Sequence, residues 1–177
     1  MKNRHIGEFV KVLAGLIMVL AALLACKGGS GSGGSGSSGG SGKLGEAIKL
    51  DESTWTVIEA KDLGKDLKAT SEFGEAKKTT GKFLQIHYKV TNNGKKQETL
   101  LETPKVLDKG GREFGHVEME SDYIPKGSKA AILETLQPSM EKDFYTVIEI
   151  PADASGLKVQ LTDLGLLGEK KTVDLAM

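Results

Sequence analysis

The chain between residues 82 and 94 reads KFLQIHYKVTNNG, and this stretch decides the fold class. Apolar side chains recur at every second position from Leu84 to Val90, while positions 85, 87 and 89 are polar. Successive side chains of a strand point to opposite faces, so the alternation predicts a strand with one buried face. The following Asn92-Asn93-Gly94 predicts a tight turn, because asparagine and glycine tolerate a positive φ.

Short strands and turns continue on both sides of this stretch. We predict further strands at residues 54–60, 105–107, 112–114, 144–150, 157–161 and 171–175. Long helical periodicity is missing, although residues 130–136 permit one or two helical turns. Turn residues separate these strands, notably at residues 108–111 (DKGG) and 153–156 (DASG). Frequent turns between seven or so short strands predict an all-β fold, an immunoglobulin-like antiparallel β-sandwich over residues 43–177.

Three blocks of this region resemble a bacterial family of unknown function. They are KFLQIHYKVTNNG at 82–94, PKVLDKGGREF at 104–114 and LQPSMEKDFYTVIEIP at 136–151. The family pattern has a strand ending in Val-x-Asn-x-Gly, then an Asp-x-x-Gly turn, then a late strand closing in apolar-x-apolar-Pro. Its members are secreted or lipid-anchored immunoglobulin-like domains, related to the immunoprotective extracellular antigens. The resemblance implies this fold and an extracytoplasmic location, and it brings no assigned activity.

The first 25 residues have the organisation of an export signal. Lys2, Arg4 and Lys11 precede 14 uncharged, mostly apolar residues at positions 12–25. A helix of that length is about 21 Å long, against roughly 30 Å of hydrocarbon, which disfavours a transmembrane anchor. We therefore predict that residues 1–25 form a signal helix that is removed from the mature protein.

The end of this segment, Leu23-Leu24-Ala25-Cys26, resembles the bacterial lipobox. The resemblance implies cleavage between Ala25 and Cys26, a diacylglycerol thioether on Cys26 and acylation of the new amino terminus. An unmodified buried cysteine is the alternative, but this is the only cysteine and it stands where the motif requires one. Acyl chains contribute about 0.8 kcal/mol per buried CH₂, so two or three chains give a durable membrane anchor. The expected location is the cell membrane or outer membrane, with the domain outside the cytoplasm.

A run of glycine and serine follows the predicted lipidation site. Residues 28–42 contain nine glycines and six serines and nothing else. Because no side chain there can bury apolar surface, we predict that residues 26–42 comprise the lipidated cysteine and a disordered tether. Such a coil spans roughly 20 Å on average and about 50 Å when extended. An engineered linker is the alternative interpretation.

Motifs for catalysis are missing from the sequence. The chain contains no Gly-x-Ser-x-Gly elbow, no His-Glu-x-x-His and no phosphate-binding loop. Its 24 basic and 24 acidic residues give a formal charge of zero, which argues against nucleic acid as a partner. A single cysteine excludes an intrachain disulfide and multi-cysteine metal sites. We predict no catalytic residue, no cofactor, no metal site and no enzymatic activity.

Three further predictions concern the position of His87, the burial of the aromatic residues and the polar residues at 116–122. We expect His87 to face solvent on its strand, and we expect most aromatic residues to lie in the core, with Trp55 the first to test for exposure. Residues 116–122 alternate polar and less polar side chains. As a strand they would form a solvated acidic edge, with a weak Ca²⁺ site as the alternative. The polar set is His116, Glu118, Glu120 and Asp122.

These observations leave two classes of function. The first is a non-enzymatic binding domain that is held on membrane lipid through acylated Cys26 and contacts an unknown envelope or extracellular protein. The second is a structural or accessory subunit of an envelope complex, or an envelope-stress protein. A stable stoichiometric complex would favour the second class.

Overall fold

The structure is a computed structural model of the 177-residue chain and describes residues 41–72, 74–164 and 168–177. The predicted signal at residues 1–25, the predicted lipidation site Cys26 and most of the predicted tether lie outside the described residues. No helix in those three ranges is long and apolar enough to cross a bilayer. Besides a short 3-10 helix at Glu120–Asp122, the regular elements there are strands. They are β1 (Ser41–Lys43), β2 (Ala47–Lys49), β3 (Ser53–Leu67), β4 (Lys77–Asn92), β5 (Glu98–Thr99), β6 (Lys105–Leu107), β7 (Glu113–Phe114), β8 (Thr135–Leu136), β9 (Glu141–Ile150), β10 (Lys158–Thr162) and β11 (Lys170–Asp174).

Most strands belong to two sheets. The first has the order β1-β11-β10-β6-β7 and the second β2-β3-β4-β9, while β5 and β8 form a separate short pair. Their facing sides share one apolar core, so the prediction of an all-β sandwich is confirmed. Neighbouring strands are antiparallel except β1 and β11, which pair in parallel. Ser41 and Gly42, the last two residues of the predicted tether, belong to β1.

The core forms where the alternating faces of both sheets meet. Leu84, Ile86, Tyr88 and Val90 of β4 are all fully buried, as their spacing predicts. Complete burial of one such side chain contributes roughly 1.5–3 kcal/mol, which offsets part of the conformational entropy lost on folding. The predicted core position of the aromatic residues is confirmed for Trp55, Phe83, Tyr88, Tyr123 and Phe144.

Trp55 takes part in a buried chain of hydrogen bonds. Its Nε1 donates to Ser53 Oγ at 2.8 Å, and the Ser53 hydroxyl donates to Asp163 Oδ1 at 2.5 Å. The backbone N–H of Glu52 donates to the other oxygen of Asp163. Because Ser53 opens β3 and Asp163 follows β10, this chain links the two sheets at one end of the sandwich.

The two predicted turns beside β4 and β6 have internal hydrogen bonds. Asn92 Oδ1 accepts from the N–H of Gly94, while Asn92 Nδ2 donates to the carbonyl oxygens of Lys96 and Leu136. Asp108 accepts from the backbone N–H groups of Gly110 and Arg112. Gly111 has φ +79°, the left-handed conformation that glycine adopts without steric cost.

The one or two helical turns that residues 130–136 permit do not continue as a helix. The N–H of Glu134 donates to the carbonyl of Ala131 in a single turn, and β8, which pairs with β5, follows it. The N–H of Tyr145 donates to the carbonyl of Lys129, and the N–H of Leu100 donates to the carbonyl of Glu134. Carbonyl groups engaged with neighbouring strands are not available for further helical turns, which explains why no helix continues.

Residues 116–122 do not form the strand that their alternation would permit. His116 makes a single bridge to Ile148, and the chain then turns at Met119 (φ 57°) into the 3-10 helix. Glu118 is exposed, whereas Glu120 is only 4% exposed, so the four polar residues do not share one face. The backbone turns because the Glu120 carboxylate reaches inward and accepts hydrogen bonds from β9.

Candidate functional site

The outer face of the β2-β3-β4-β9 sheet is divided into an apolar and a polar zone. In the apolar zone, residues from the loop before β8 cover Phe83 of β4 and Val147 of β9. This second cluster of buried side chains comprises Leu67, Phe83, Val117, Tyr123, Ile124 and Val147. The polar zone lies farther along β4 and β9, and it presents functional side chains at the surface.

Strand register brings the residues of the polar zone together. His87 of β4 is directly opposite Tyr145 of β9, and Lys89 is opposite Asp143. The rings of His87 and Tyr145 stack with centroids 4.2 Å apart and planes 3° from parallel. The His87 Nε2 atom lies 3.1 Å from Asp143 Oδ1. One aromatic stack and one carboxylate are therefore fixed side by side on a rigid sheet.

A shallow depression of about 570 Å³ opens beside this stack. Its other wall is the loop that contains Gly127, Ser128 and Lys129. A hydrogen bond from the N–H of Ser128 to the carbonyl of Pro125 closes that loop. The N–H of Tyr145 donates to the carbonyl of Lys129, which fastens the loop to β9. The depression is lined by His87, Gly127, Ser128, Lys129, Glu141, Lys142, Asp143 and Tyr145.

Charges around the depression are arranged in pairs. Lys89 Nζ donates to Glu141 Oε1 at 2.9 Å, and this bond, together with the nearby carboxylates, raises the pKa of Lys89. Lys142 Nζ donates to Glu134 at 2.9 Å, which holds the pKa of that carboxyl below its ordinary value. The site therefore offers both hydrogen-bond donors and acceptors, with little net charge. No group of three or more His, Cys, Asp or Glu side chains that would hold a metal ion occurs within the described ranges.

A second polar feature lies behind β9, inside the sandwich. Glu120 Oε2 accepts a 2.6 Å hydrogen bond from the Thr146 hydroxyl and a longer one from the N–H of Val147. Neither Glu120 Oε1 nor the Tyr88 hydroxyl has a partner among the described residues, and both atoms are buried. Burial raises the pKa of Glu120, opposed by the Thr146 hydrogen bond and the nearby His116. Burial also raises the pKa of Tyr88, and the Glu120 charge adds to that effect.

The residues that the sequence singled out lie outside the described residues, on the outer face of the sheet or in the core. Ala25 and Cys26, the predicted cleavage and lipidation site, lie outside the described residues. His87 does lie on the outer face, but its side chain is only 20% exposed because Tyr145 covers one side of the ring. Trp55 is 1% exposed and belongs to the core, not to a surface site.

Sequence reasoning missed the pairing of His87 with Tyr145 and Asp143. Alternation does place Asp143 and Tyr145 on one face of a strand, which was the available signal. His87 and Asp143 are 56 positions apart in the chain, and they meet only because of the register between β4 and β9. No local sequence pattern specifies that register.

Comparisons with known proteins show a shared fold. No family model and no curated protein matches the chain, so the family resemblance stays a prediction. The yjhA protein from Bacillus subtilis is similar in structure, with a TM-score of 0.60 and 15% identity over 75% of this chain and 98% of that one. A functionally unknown protein from Listeria monocytogenes has a TM-score of 0.53 and 10% identity over 76% and 82%. A conserved hypothetical protein from Bacillus anthracis has a TM-score of 0.52 and 16% identity over 72% and 93%. At these identities the likeness shows the fold alone.

Proposed function

We propose that this protein is a lipoprotein that displays a non-enzymatic binding domain in the bacterial cell envelope. Acylated Cys26 would hold it on the membrane, and the β-sandwich would bind a polar envelope or extracellular ligand. The observation that carries the binding role is the polar zone around His87, Tyr145 and Asp143 with its adjacent depression. The observation that supports the anchor is the sequence Leu23-Leu24-Ala25-Cys26 behind a basic and then apolar segment.

The geometry of the depression suits recognition of a polar molecule by several weak contacts. The Tyr145 ring supplies a partly exposed aromatic surface. Tyrosine is common at binding interfaces because it combines an apolar ring with a polar hydroxyl. Lys129 and Asp143 add a donor and an acceptor at the border. Because these groups stand on paired strands and on a loop fastened to β9, little ordering is needed when a ligand binds.

Binding is favoured over catalysis by the state of the charged groups at this surface. Glu141 is paired with Lys89, and Glu134 is paired with Lys142. A carboxylate that acts as a general base or nucleophile must be placed to accept a proton or attack a substrate, and pairing with a lysine ammonium works against that. We therefore propose that these side chains orient a ligand without reacting with it.

Photo-crosslinking in the cells that make the protein tests the binding role. A photoreactive phenylalanine derivative in place of Tyr145 should capture a specific ligand. The matched control carries the same group in place of Gln160, which lies half-buried in β10 of the other sheet. Adducts from position 145 alone would support the proposal. No adduct, or the same adducts from both positions, would contradict it.

The accessory-subunit function makes a different prediction in the same experiment. A permanent subunit would be captured in a complex of fixed stoichiometry that also survives solubilisation without crosslinking. Recovery of such a complex would replace the binding-domain proposal with the second function class.

A further inference from the structure

Three large apolar side chains lie exposed together at one end of the sandwich. They are Leu101, Ile132 and Leu133, with exposed fractions of 45%, 48% and 71%. We call these three residues the apolar rim. Burial of large apolar side chains stabilises a fold, so their exposure gives up stabilisation that the fold would otherwise gain.

Backbone hydrogen bonds hold the apolar rim in one place. The N–H of Leu133 donates to the carbonyl of Leu100, and the N–H of Leu100 donates to the carbonyl of Glu134, both at 2.9 Å. These bonds continue the β5–β8 pairing, in which Thr99 is opposite Thr135. Leu100 and Ala131, the neighbours of the rim in sequence, are buried in the core. The fold therefore turns the rim residues outward while it anchors the residues beside them.

Leu133 occupies a backbone conformation that does not favour leucine, so the geometry of the turn does not explain why leucine stands at this position. Its φ is +62°, in the left-handed region that glycine and asparagine adopt easily and leucine does not. A leucine in that conformation is strained, and at 71% exposure it regains little by packing. Exposure and backbone strain at the same residue point to a contact with something outside the domain.

Strand directions place the apolar rim at the end of the sandwich where the chain enters from the amino terminus. Ser41 of β1 and Lys105 of β6 lie in one row of the sheet, linked through Thr172 and Gln160. The two strands run in the same direction, because β1 is parallel to β11 and both β11 and β6 are antiparallel to β10. Ser41 and Lys105 therefore begin their strands at the same end of the sheet. Leu101 is four residues before Lys105, on that side.

We propose that the apolar rim docks into the interfacial layer of the same membrane that holds the lipid anchor. This inference rests on the proposed anchor at Cys26 for its partner. Only 14 residues separate Cys26 from Ser41, which is at most about 50 Å of chain. At that reach the membrane is present at high effective concentration, so a weak apolar contact is enough to orient the domain. Leucine and isoleucine side chains at the acyl boundary are typical of such interfacial contacts.

Hydrogen exchange on vesicles tests the docking without relying on lipidation by the cell. The chain from residue 26 onward is coupled through its only thiol, Cys26, to a maleimide lipid in phosphatidylethanolamine–phosphatidylglycerol vesicles. We expect amide exchange in residues 98–101 and 131–135 to slow by roughly tenfold relative to the free chain, because docking must be undone before these amides open. Exchange in residues 109–111, at the opposite end of β6, should not change.

Variants separate the membrane contact from other causes. Ile132→Ser with Leu133→Asn should abolish the slowing and leave the melting temperature close to that of the parent chain, since asparagine accepts the left-handed backbone. The matched control is Ile58→Ser, which removes an isoleucine that is 37% exposed in β3 and should retain the slowing. No slowing on vesicles, or slowing that Ile58→Ser abolishes equally, would overturn the proposal. Slowing in the free chain that rises with protein concentration would assign the rim to a second copy instead, and would also overturn it.

The test distinguishes failure of the membrane contact from failure of the proposed anchor. Slowing on vesicles with no acyl group on Cys26 in cells would retain the membrane contact and reject the anchor. An acylated Cys26 with no slowing would do the reverse.

Discussion

The hydroxyl of Thr146 donates a 2.6 Å hydrogen bond to the carboxylate of Glu120, and both residues are buried. This bond ties the loop before β8 to edge strand β9 of the sandwich. The second oxygen of Glu120 is buried without a partner among the described residues. A buried carboxylate that lacks one partner favours its protonated form, which is why burial raises the pKa of Glu120.

This relationship predicts how stability depends on pH. Because the pKa of Glu120 is raised in the folded state, its stabilising contribution is present at acidic pH and is lost as pH rises through the folded pKa. The glutamine side chain in Glu120→Gln is uncharged at every pH. The variant should therefore have a higher free energy of unfolding at neutral pH than the parent chain, and its free energy of unfolding should decrease less between acidic and neutral pH. Urea denaturation at a series of pH values measures both effects. Glu118→Gln, an exposed neighbour, is the control. A variant with an unchanged pH profile would contradict this account.

Asn92 offers a test of the turn after β4. Its amide donates to the carbonyls of Lys96 and Leu136 and accepts from the N–H of Gly94, while the residue is fully buried. Asn92→Ala removes all three hydrogen bonds and leaves the buried carbonyl of Leu136 without this partner, which should cost about 2–3 kcal/mol in the free energy of unfolding. Asn93→Ala, at an exposed position in the same turn, should cost less than about 1 kcal/mol. Equal losses in thermal or chemical denaturation would show that Asn92 has no special role.

The environment of Asp108 predicts that stability falls as pH decreases, which is opposite to the effect expected from Glu120. The N–H and the guanidinium of Arg112 hold the pKa of Asp108 below its ordinary value. A depressed pKa contributes stability that is present above the unfolded-state pKa and is lost as pH falls through the folded one. Asp108→Asn should therefore be less stable than the parent at neutral pH, and the difference should shrink in acid. Asp66→Asn, in an exposed ion pair with Lys78, is the control. A difference that stays constant with pH would argue against the Arg112 interaction.

The sandwich could be predicted because its signals are local. Alternation from Leu84 to Val90 identifies the buried face of β4, and Asp108 with Gly111 marks a turn. The candidate site could not be predicted in the same way. Contact between His87 and Tyr145 depends on strand register, and burial of Glu120 depends on β9 supplying a hydroxyl and an N–H. Residues 116–122 alternate as a strand would, but that tertiary contact overrides the pattern, and a 3-10 helix forms at Glu120–Asp122.

The measurement that tests the central claim most directly is intact-mass spectrometry of the protein purified from the membranes of the cells that make it. We predict a mature chain that begins at Cys26 and carries added acyl mass. The Cys26→Ala variant should lack that mass and should leave the membrane fraction. A native chain that retains Met1, or one that begins at residue 26 without acyl mass, would contradict the account of a lipid-anchored binding domain.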